Sequence, residues 1–304
     1  SIYDVPVNFE KDKLVSLVMK LLGVRKKKGS GMARWNKFAR DVKNFKNGVN
    51  IAIVGKYFDT GDFMLSDSYI SVIEAIKYSS YFLKRRQKLT WLSSKDFERN
   101  PKKLSELSKY DGIIVPGGFG KTGIEGKLKV IEYARTRKIP YLGLCYGMQL
   151  MTIEYARNVL KIKDANTAEI KPKGENLVID IMPEQKDKLK NKNYGGSMRL
   201  GSYKALLKEG SIAKKAYGGV RSVLERHRHR YEVNPDYVAQ LESAGLIFSG
   251  VSPDGVLMEI AELSTKDHPF FLGTQFHPEF KARPFVPHPI FNEFMRASIS
   301  RHED

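Results

Sequence analysis

The single cysteine of this 304-residue chain, Cys145, lies in Tyr141-Leu142-Gly143-Leu144-Cys145-Tyr146-Gly147-Met148-Gln149. An apolar run precedes it and a helical pattern follows. The G-x-C-x-G spacing therefore places the thiol on a tight strand-to-helix turn, where small neighbours relieve crowding and the helix N-terminus favours a thiolate. Such a sulfur attacks acyl carbon, and it needs a base. Of the six histidines (His227, His229, His268, His277, His288 and His302), His277 follows an apolar run in Phe276-His277-Pro278-Glu279. Residues i and i+2 of an extended segment share a side, so Glu279 can orient and charge-stabilise the imidazole. A third element, Pro116-Gly117-Gly118-Phe119-Gly120, bares the backbone so that an amide N–H can approach a developing oxyanion. Taken singly these would be an inert buried cysteine, a surface-loop histidine and a tight turn or phosphate cradle. The glycine loop lacks the Lys-Ser/Thr of a P-loop and the spacing of a dinucleotide fingerprint.

These residues must be carried by regular elements. Apolar runs predict strands at 51–55, 88–93, 112–116 and 140–144, with helices at 66–83 (opened by Ser66 and Asp67), 126–138 and 147–160. Strands alternating with helices imply an α/β fold, a central mostly parallel sheet with crossover helices on its faces. Beyond residue 165 the pattern weakens to strands at Leu177–Ile181, Ile247–Val251, 256–263 and 270–276 and a last helix at 289–299. Upstream, Leu14, Leu17, Val18, Leu21 and Leu22 predict an amphipathic helix over 10–22 that buries one face. Gly23, the basic run Arg25-Lys26-Lys27-Lys28 and Gly29-Ser30-Gly31 then read as a linker.

The length suits one large α/β domain or two small ones, and 41% hydrophobic residues exclude a disordered tail or a disulfide-stapled miniprotein. Charges of 52 Lys+Arg against 34 Asp+Glu leave +18, which attracts phosphate-bearing partners, nucleic acid or an anionic surface without choosing among them. The clusters Lys84-Arg85-Arg86 and 186–192 read as solvated faces or loops. One cysteine closes no intramolecular disulfide and is a poor start for structural zinc, so a reducing, intracellular and cytoplasmic setting and no metal are expected. No uncharged apolar stretch is long enough for a bilayer, and the opening lacks a signal-peptide layout. A start at Ser1 reads as a processed piece of something longer.

The order Pro-Gly-Gly, G-x-C-x-G-x-Gln and then His-Pro-Glu resembles the class I, triad-type glutamine amidotransferases. Further segments resemble the glutaminase domain of the CTP synthase family: Val54-Gly55-Lys56-Tyr57, Asp67-Ser68-Tyr69, Ser71-Val72-Ile73-Glu74-Ala75 and Asp164-Ala165-Asn166-Thr167-Ala168-Glu169, followed by Gly195-Gly196-Ser197-Met198-Arg199-Leu200-Gly201 and Glu225-Arg226-His227-Arg228-His229-Arg230-Tyr231-Glu232-Val233-Asn234. The resemblance covers roughly residues 50–297, and Ser1-Ile2-Tyr3-Asp4-Val5-Pro6 looks like the end of that family's synthetase domain. It implies a flavodoxin-like open sheet and three parts: 1–48 as the end of the synthetase domain and interdomain linker, 49–300 as the glutaminase domain, and 301–304 as a tail.

The resemblance also implies roles. Cys145 attacks the glutamine side-chain amide, His277 passes a proton to the leaving ammonia, and Glu279 holds His277. The N–H groups of Gly118 and Tyr146 hold the oxyanion, while Gly118, Tyr146, Gly147, Met148, Gln149, Glu169 and Arg230 match glutamine-binding positions, Glu169 suiting the ammonium and Arg230 the carboxylate. No cofactor is implied for this domain. The other half would bind ATP, UTP and Mg2+, aminate UTP to CTP with the ammonia, and respond to GTP as activator. Full-length members form homotetramers and can form filaments. Tyr146 stands where the family commonly has Leu, and the loop 58–65 looks long for it. A nucleic-acid or phosphate-binding module, suggested by the charge and by Arg226-His227-Arg228-His229-Arg230, lacks a reader motif or an aromatic platform. A peptidase-type relative would leave Glu169 and Arg230 unexplained.

Overall fold

A computed structural model describes residues 1–25, 32–55, 69–118, 122–181 and 198–303. The expected helix start at Ser66 and Asp67, the loop 58–65, the basic cluster 186–192 and the segment Gly195-Gly196-Ser197 lie outside the described residues.

Among these residues nine strands form one sheet, ordered β2 (Arg86–Ser93), β1 (Gly48–Gly55), β3 (Gly112–Val115), β4 (Tyr141–Leu144), β12 (Phe271–Thr274), β11 (Met258–Glu262), β10 (Ile247–Val251), β7 (Arg199–Leu207) and β8 (Ser222–His229). The first five are parallel. β1, β3, β4 and β12 consist mainly of apolar or small residues buried on both faces in their central parts, which requires helices above and below, whereas the edge strand β2 has no fully buried residue. The last four join antiparallel and continue the sheet away from the parallel half. A three-stranded sheet of β5 (Asn166–Thr167), β6 (Leu177–Ile181) and β9 (Tyr231–Val233) is separate.

In chain order the helices are α1 (Val5–Lys11), α2 (Leu14–Leu21), α3 (Met32–Asn44), α4 (Ile70–Phe82), α5 (Ser94–Arg99), α6 (Ile124–Thr136), α7 (Tyr146–Asn158), α8 (Ile212–Ala216), α9 (Pro235–Ser243) and α10 (Pro289–Glu303). One apolar core joins α6 and α7 to a sheet face through Leu128, Ile131, Met148 and Leu150. A second lies on the opposite face, where Ile73, Ile76, Phe291 and Phe294 of α4 and α10 meet Ile51 and Ile53. The sheet is thus covered on both sides, as the strand–helix alternation predicts, with helix boundaries displaced by about two residues.

The N-terminal segment departs from expectation. The helix predicted over 10–22 is two helices, broken where Lys13 adopts a left-handed φ of 55°. Its apolar face is exposed, with Leu21 at 76% and Leu22 at 70%, because that face meets no apolar counterpart among the described residues. What anchors the segment is a small aromatic core instead. Tyr3, Ala39 and Val42 are buried with Trp35, Phe38, Tyr78 and Tyr81 packed around them, and Tyr3 donates its hydroxyl to Glu74 of α4 at 2.6 Å.

Candidate active site

Cys145 joins β4 to α7 and is the N-cap of that helix, with φ 51° and ψ −98°. A non-glycine residue is forced into this conformation only by its surroundings. One side is held by the Cys145 N–H, which donates to the Thr274 carbonyl at 2.6 Å, and the other by the Met148 and Gln149 N–H groups, which donate to the Cys145 carbonyl at 3.1 and 3.2 Å. Gly147 makes the turn possible, since a Cβ there would lie 2.1 Å from the Val115 carbonyl oxygen. The elbow inferred from G-x-C-x-G is therefore present. The side chain is 5% exposed and sits at the positive end of α7.

His277 follows β12, the neighbour of β4, so adjacent parallel strands deliver thiol and imidazole to the same sheet end. Its Nδ1 lies 2.7 Å from Oε1 of Glu279. The ring stacks on Phe280 with centroids 5.2 Å apart, and the His277 N–H donates to the Arg226 carbonyl at 2.8 Å. Burial alone would lower the imidazole's pKa, but the Glu279 carboxylate and the hydrogen-bonded Cys145 outweigh it and raise the value well above 6.5. The ring is thus held towards imidazolium beside the sulfur. Gly117 closes the triangle: a Cβ on it would stand 3.0 Å from His277 Cε1 and 3.7 Å from Cys145 Cβ.

A cavity of about 310 Å³ opens here, lined by Pro116, Gly117, Gly118, Cys145, Arg228, His277, Glu279 and Phe280 with Tyr69–Val72 of the α4 start. Of the residues expected from sequence, Cys145, His277, Glu279 and Gly118 thus share one cavity. Tyr146 is the first residue of α7, where an N–H has no acceptor within the helix. Its side chain is buried, as are Gly147 and Met148, so what these three could offer a ligand is backbone rather than side chain.

Glu169, Arg230 and Gln149 do not line that cavity and lie around Tyr146 and Tyr231. Burial first, then Glu169, raises the Tyr146 hydroxyl pKa, and the Tyr231 hydroxyl is raised by burial and Glu169 but lowered by Arg230. The Glu169 carboxylate thus acts on both rings and the Arg230 guanidinium on Tyr231, and the buried Nε of Arg230 has no hydrogen-bond partner. Gln149, 3% exposed, donates to the Tyr231 carbonyl at 2.9 Å and to Gln275 Oε1 at 3.1 Å. Both its amide hydrogens are engaged within the protein, which leaves its oxygen for a ligand.

Behind Cys145 lies a buried polar layer that periodicity did not reveal. On β8, Arg226 and Arg228 point outward while Glu225, His227 and His229 are buried. His227 Nε2 lies 2.6 Å from Glu259, and Arg199 pairs with Glu259 at 2.7 Å. Burial first, then His227 and Arg199, push His229 well below 6.5 and so keep it neutral. The run that sequence alone could assign to a nucleic-acid surface therefore has its histidines turned inward. Among the described residues no group of three or more His, Cys, Asp and Glu could hold a metal, and no helix is long and apolar enough to cross a membrane.

Comparison with known proteins decides the family. Residues 64–297 match the family model described as glutamine amidotransferase class-I. The chain belongs to the class I glutamine amidotransferases. Among solved members of this amidotransferase family, it is similar to the glutaminase domain of Trypanosoma brucei CTPS with bound acivicin, at 36% identity and TM-score 0.76, covering 83% of this chain and 94% of that one. It is 47% identical to the CTP synthase of Carboxydothermus hydrogenoformans over 100% of its own length and 54% of the relative's. It is 48% identical to that of Caldanaerobacter subterraneus subsp. tengcongensis over 99% and 53%. This amidotransferase chain therefore spans about half the length of the curated relatives it matches and corresponds to their glutaminase half.

Proposed function

We propose that the chain hydrolyses L-glutamine to glutamate and ammonia with Cys145 as nucleophile, His277 as proton carrier and Glu279 as its partner. What carries this reading is the convergence of a strained thiol, a carboxylate-bonded imidazole and bare glycine backbone at one cavity. The thiolate attacks the amide carbon, and the oxyanion is held by the Gly118 and Tyr146 N–H groups, about 3 kcal/mol for one such donor. As the carbon–nitrogen bond breaks, the imidazolium gives its proton to the departing ammonia and a thioester remains. Water then attacks the thioester, loses a proton to His277, and glutamate leaves as the thiolate returns. Glu169 takes the substrate ammonium, Arg230 offers its unpartnered N–H to the carboxylate, and Gln149 contributes its carbonyl oxygen.

The amidotransferase relatives named CTP synthase are about twice as long, which supports a larger role. In the whole protein, residues 1–48 join a synthetase domain to the glutaminase domain at 49–300. That partner domain uses ATP and Mg2+ to activate UTP, and ammonia from Cys145 aminates it to CTP, with GTP as activator and a cytoplasmic homotetramer, able to form filaments, as the assembly.

The test is inactivation by 6-diazo-5-oxo-L-norleucine followed by peptide mass spectrometry. One adduct per chain on Cys145, prevented by glutamine, is expected. An adduct elsewhere, or none, overturns the assignment.

A further inference from the structure

Gln275 is a residue that sequence reading passed over, and its side chain is fully buried between the nucleophile and the polar layer behind it. It lies one residue beyond β12 and two before His277. Its backbone N–H donates to the Glu259 carbonyl at 2.8 Å, which fixes where the side chain starts. Its Nε2 stands 3.6 Å from Cys145 Sγ, within hydrogen-bond range for sulfur. The two ends of a carboxamide are chemically distinct, and here the choice between them is made by a neighbour. Gln149 Nε2 donates to Gln275 Oε1 at 3.1 Å, and its other hydrogen goes to the Tyr231 carbonyl at 2.9 Å. With its oxygen committed as acceptor, Gln275 presents N–H to the sulfur. The chain of dipoles runs from Tyr231 through Gln149 and Gln275 to Cys145.

We propose that Gln275 is a catalytic residue, donating a hydrogen bond to the Cys145 thiolate, and that Gln149 is the positioning residue that aims it. This deepens the glutaminase reading and rests on Cys145 being its nucleophile. A thiol is a weak acceptor and a thiolate a strong one, so the bond selectively stabilises the attacking form. The other groups facing the sulfur leave room for a neutral donor. On the cavity side are His277 with Glu279 and, from β8, Arg228, whose carbonyl is 3.9 Å from Sγ. From β9 comes Glu232, whose burial first, and Glu259 next, raise it well above 4.5, which disfavours its charged form. His229 is kept neutral by burial. The Arg199–Glu259 pair lies one layer further back. On the side away from the cavity the cation Arg199 is taken by Glu259, and a fixed cation set against the sulfur there would carry a desolvation cost that an amide does not.

The experiment is the pH profile of iodoacetamide alkylation of Cys145 in the whole chain. Gln275→Met removes donor and acceptor at similar volume without adding charge, and Gln275→Glu keeps the acceptor for Gln149 while replacing the donor with a carboxylate that also repels the thiolate. Each is expected to slow alkylation about tenfold at neutral pH, with rates converging on wild type in alkali. A folded variant with the wild-type profile overturns the proposal. A merely structural role lowers the melting temperature without moving the profile. Should both variants fail to fold, the side-chain amide resonances of Gln275 in wild-type chain decide: they shift on alkylation of Cys145 if the bond exists, and stay in place if it does not. Alkylation reads the sulfur whatever its substrate, so it stands apart from the diazo-ketone labelling, whose failure would remove the glutaminase reading instead.

Discussion

His277 and Glu279 face each other across Pro278, with Nδ1 and Oε1 2.7 Å apart and the second carboxylate oxygen of Glu279 buried without a partner. The proline holds the backbone between them in a 3-10 turn spanning Pro278–Phe280, so acid and imidazole are fixed by local geometry. The carboxylate's attention is undivided, and its loss is felt at one ring.

Glu279→Gln is therefore expected to lower kcat about a hundredfold or more. It also takes away the largest influence raising His277. A raised imidazole stabilises the fold fully below about pH 6.5 and loses that contribution as pH climbs through its folded value. In the variant the loss comes at lower pH. Initial rates and thermal melts between pH 5 and about 9 check both effects; an unchanged profile contradicts the role of the pair.

Two glycines of the site separate folding from chemistry. Gly147→Ala sets a methyl against the Val115 carbonyl oxygen, which belongs to a buried strand and cannot yield, so a loss of about 3 kcal/mol in stability is expected by denaturant titration. Gly117→Ala presses on His277 Cε1 instead. Its fold is expected to survive while glutaminase rate falls about tenfold or more through displacement of the ring.

Arg230→Met keeps the apolar stem and removes the guanidinium. Because the buried Nε has no protein partner, stability should stay within about 0.5 kcal/mol of wild type. The glutamine KM should rise at least about tenfold. Steady-state kinetics with glutamine decides; an unchanged KM would place the substrate carboxylate elsewhere.

His268 offers a pH test remote from catalysis. Burial lowers its pKa to about 4, and its ring lies 3.1 Å from the Ala134 carbonyl and 3.2 Å from the Phe270 N–H, which donates to it. Between that value and about 6.5 the unfolded chain binds a proton that the folded chain does not, so stability falls as pH falls, by about 1.4 kcal/mol per pH unit from this group. Replacing His268 with Gln should flatten the stability curve in that window. An undiminished slope would assign the acid sensitivity to other groups.

The parallel half of the fold was legible because β1, β3, β4 and β12 are short apolar runs buried on both faces and α7 follows β4 at once. In the antiparallel half β10 and β11 fall where apolar runs predict strands, but β7 and β8 were not legible. β7 and β8 carry Arg199, Glu225, His227 and His229 inward, so burial runs against polarity and periodicity fails. Cys145, His277 and the glycine loop, the proposed catalytic groups, announce themselves by local spacing. Gln275 does not, because its meaning depends on Gln149, 126 residues earlier in the chain. The exposed face of α2 was misjudged for a related reason: amphipathic spacing states that a face is apolar but not what meets it.

The sulfur belongs to the 145th residue, whereas the carbonyl above it comes from Arg228 and its imidazole from His277. A chain emerging from the ribosome exposes the thiol well before either arrives. On the proposed roles, hydrolytic competence waits until β12 and the turn after it have been made, and a product truncated short of β12 carries the cysteine without its imidazole.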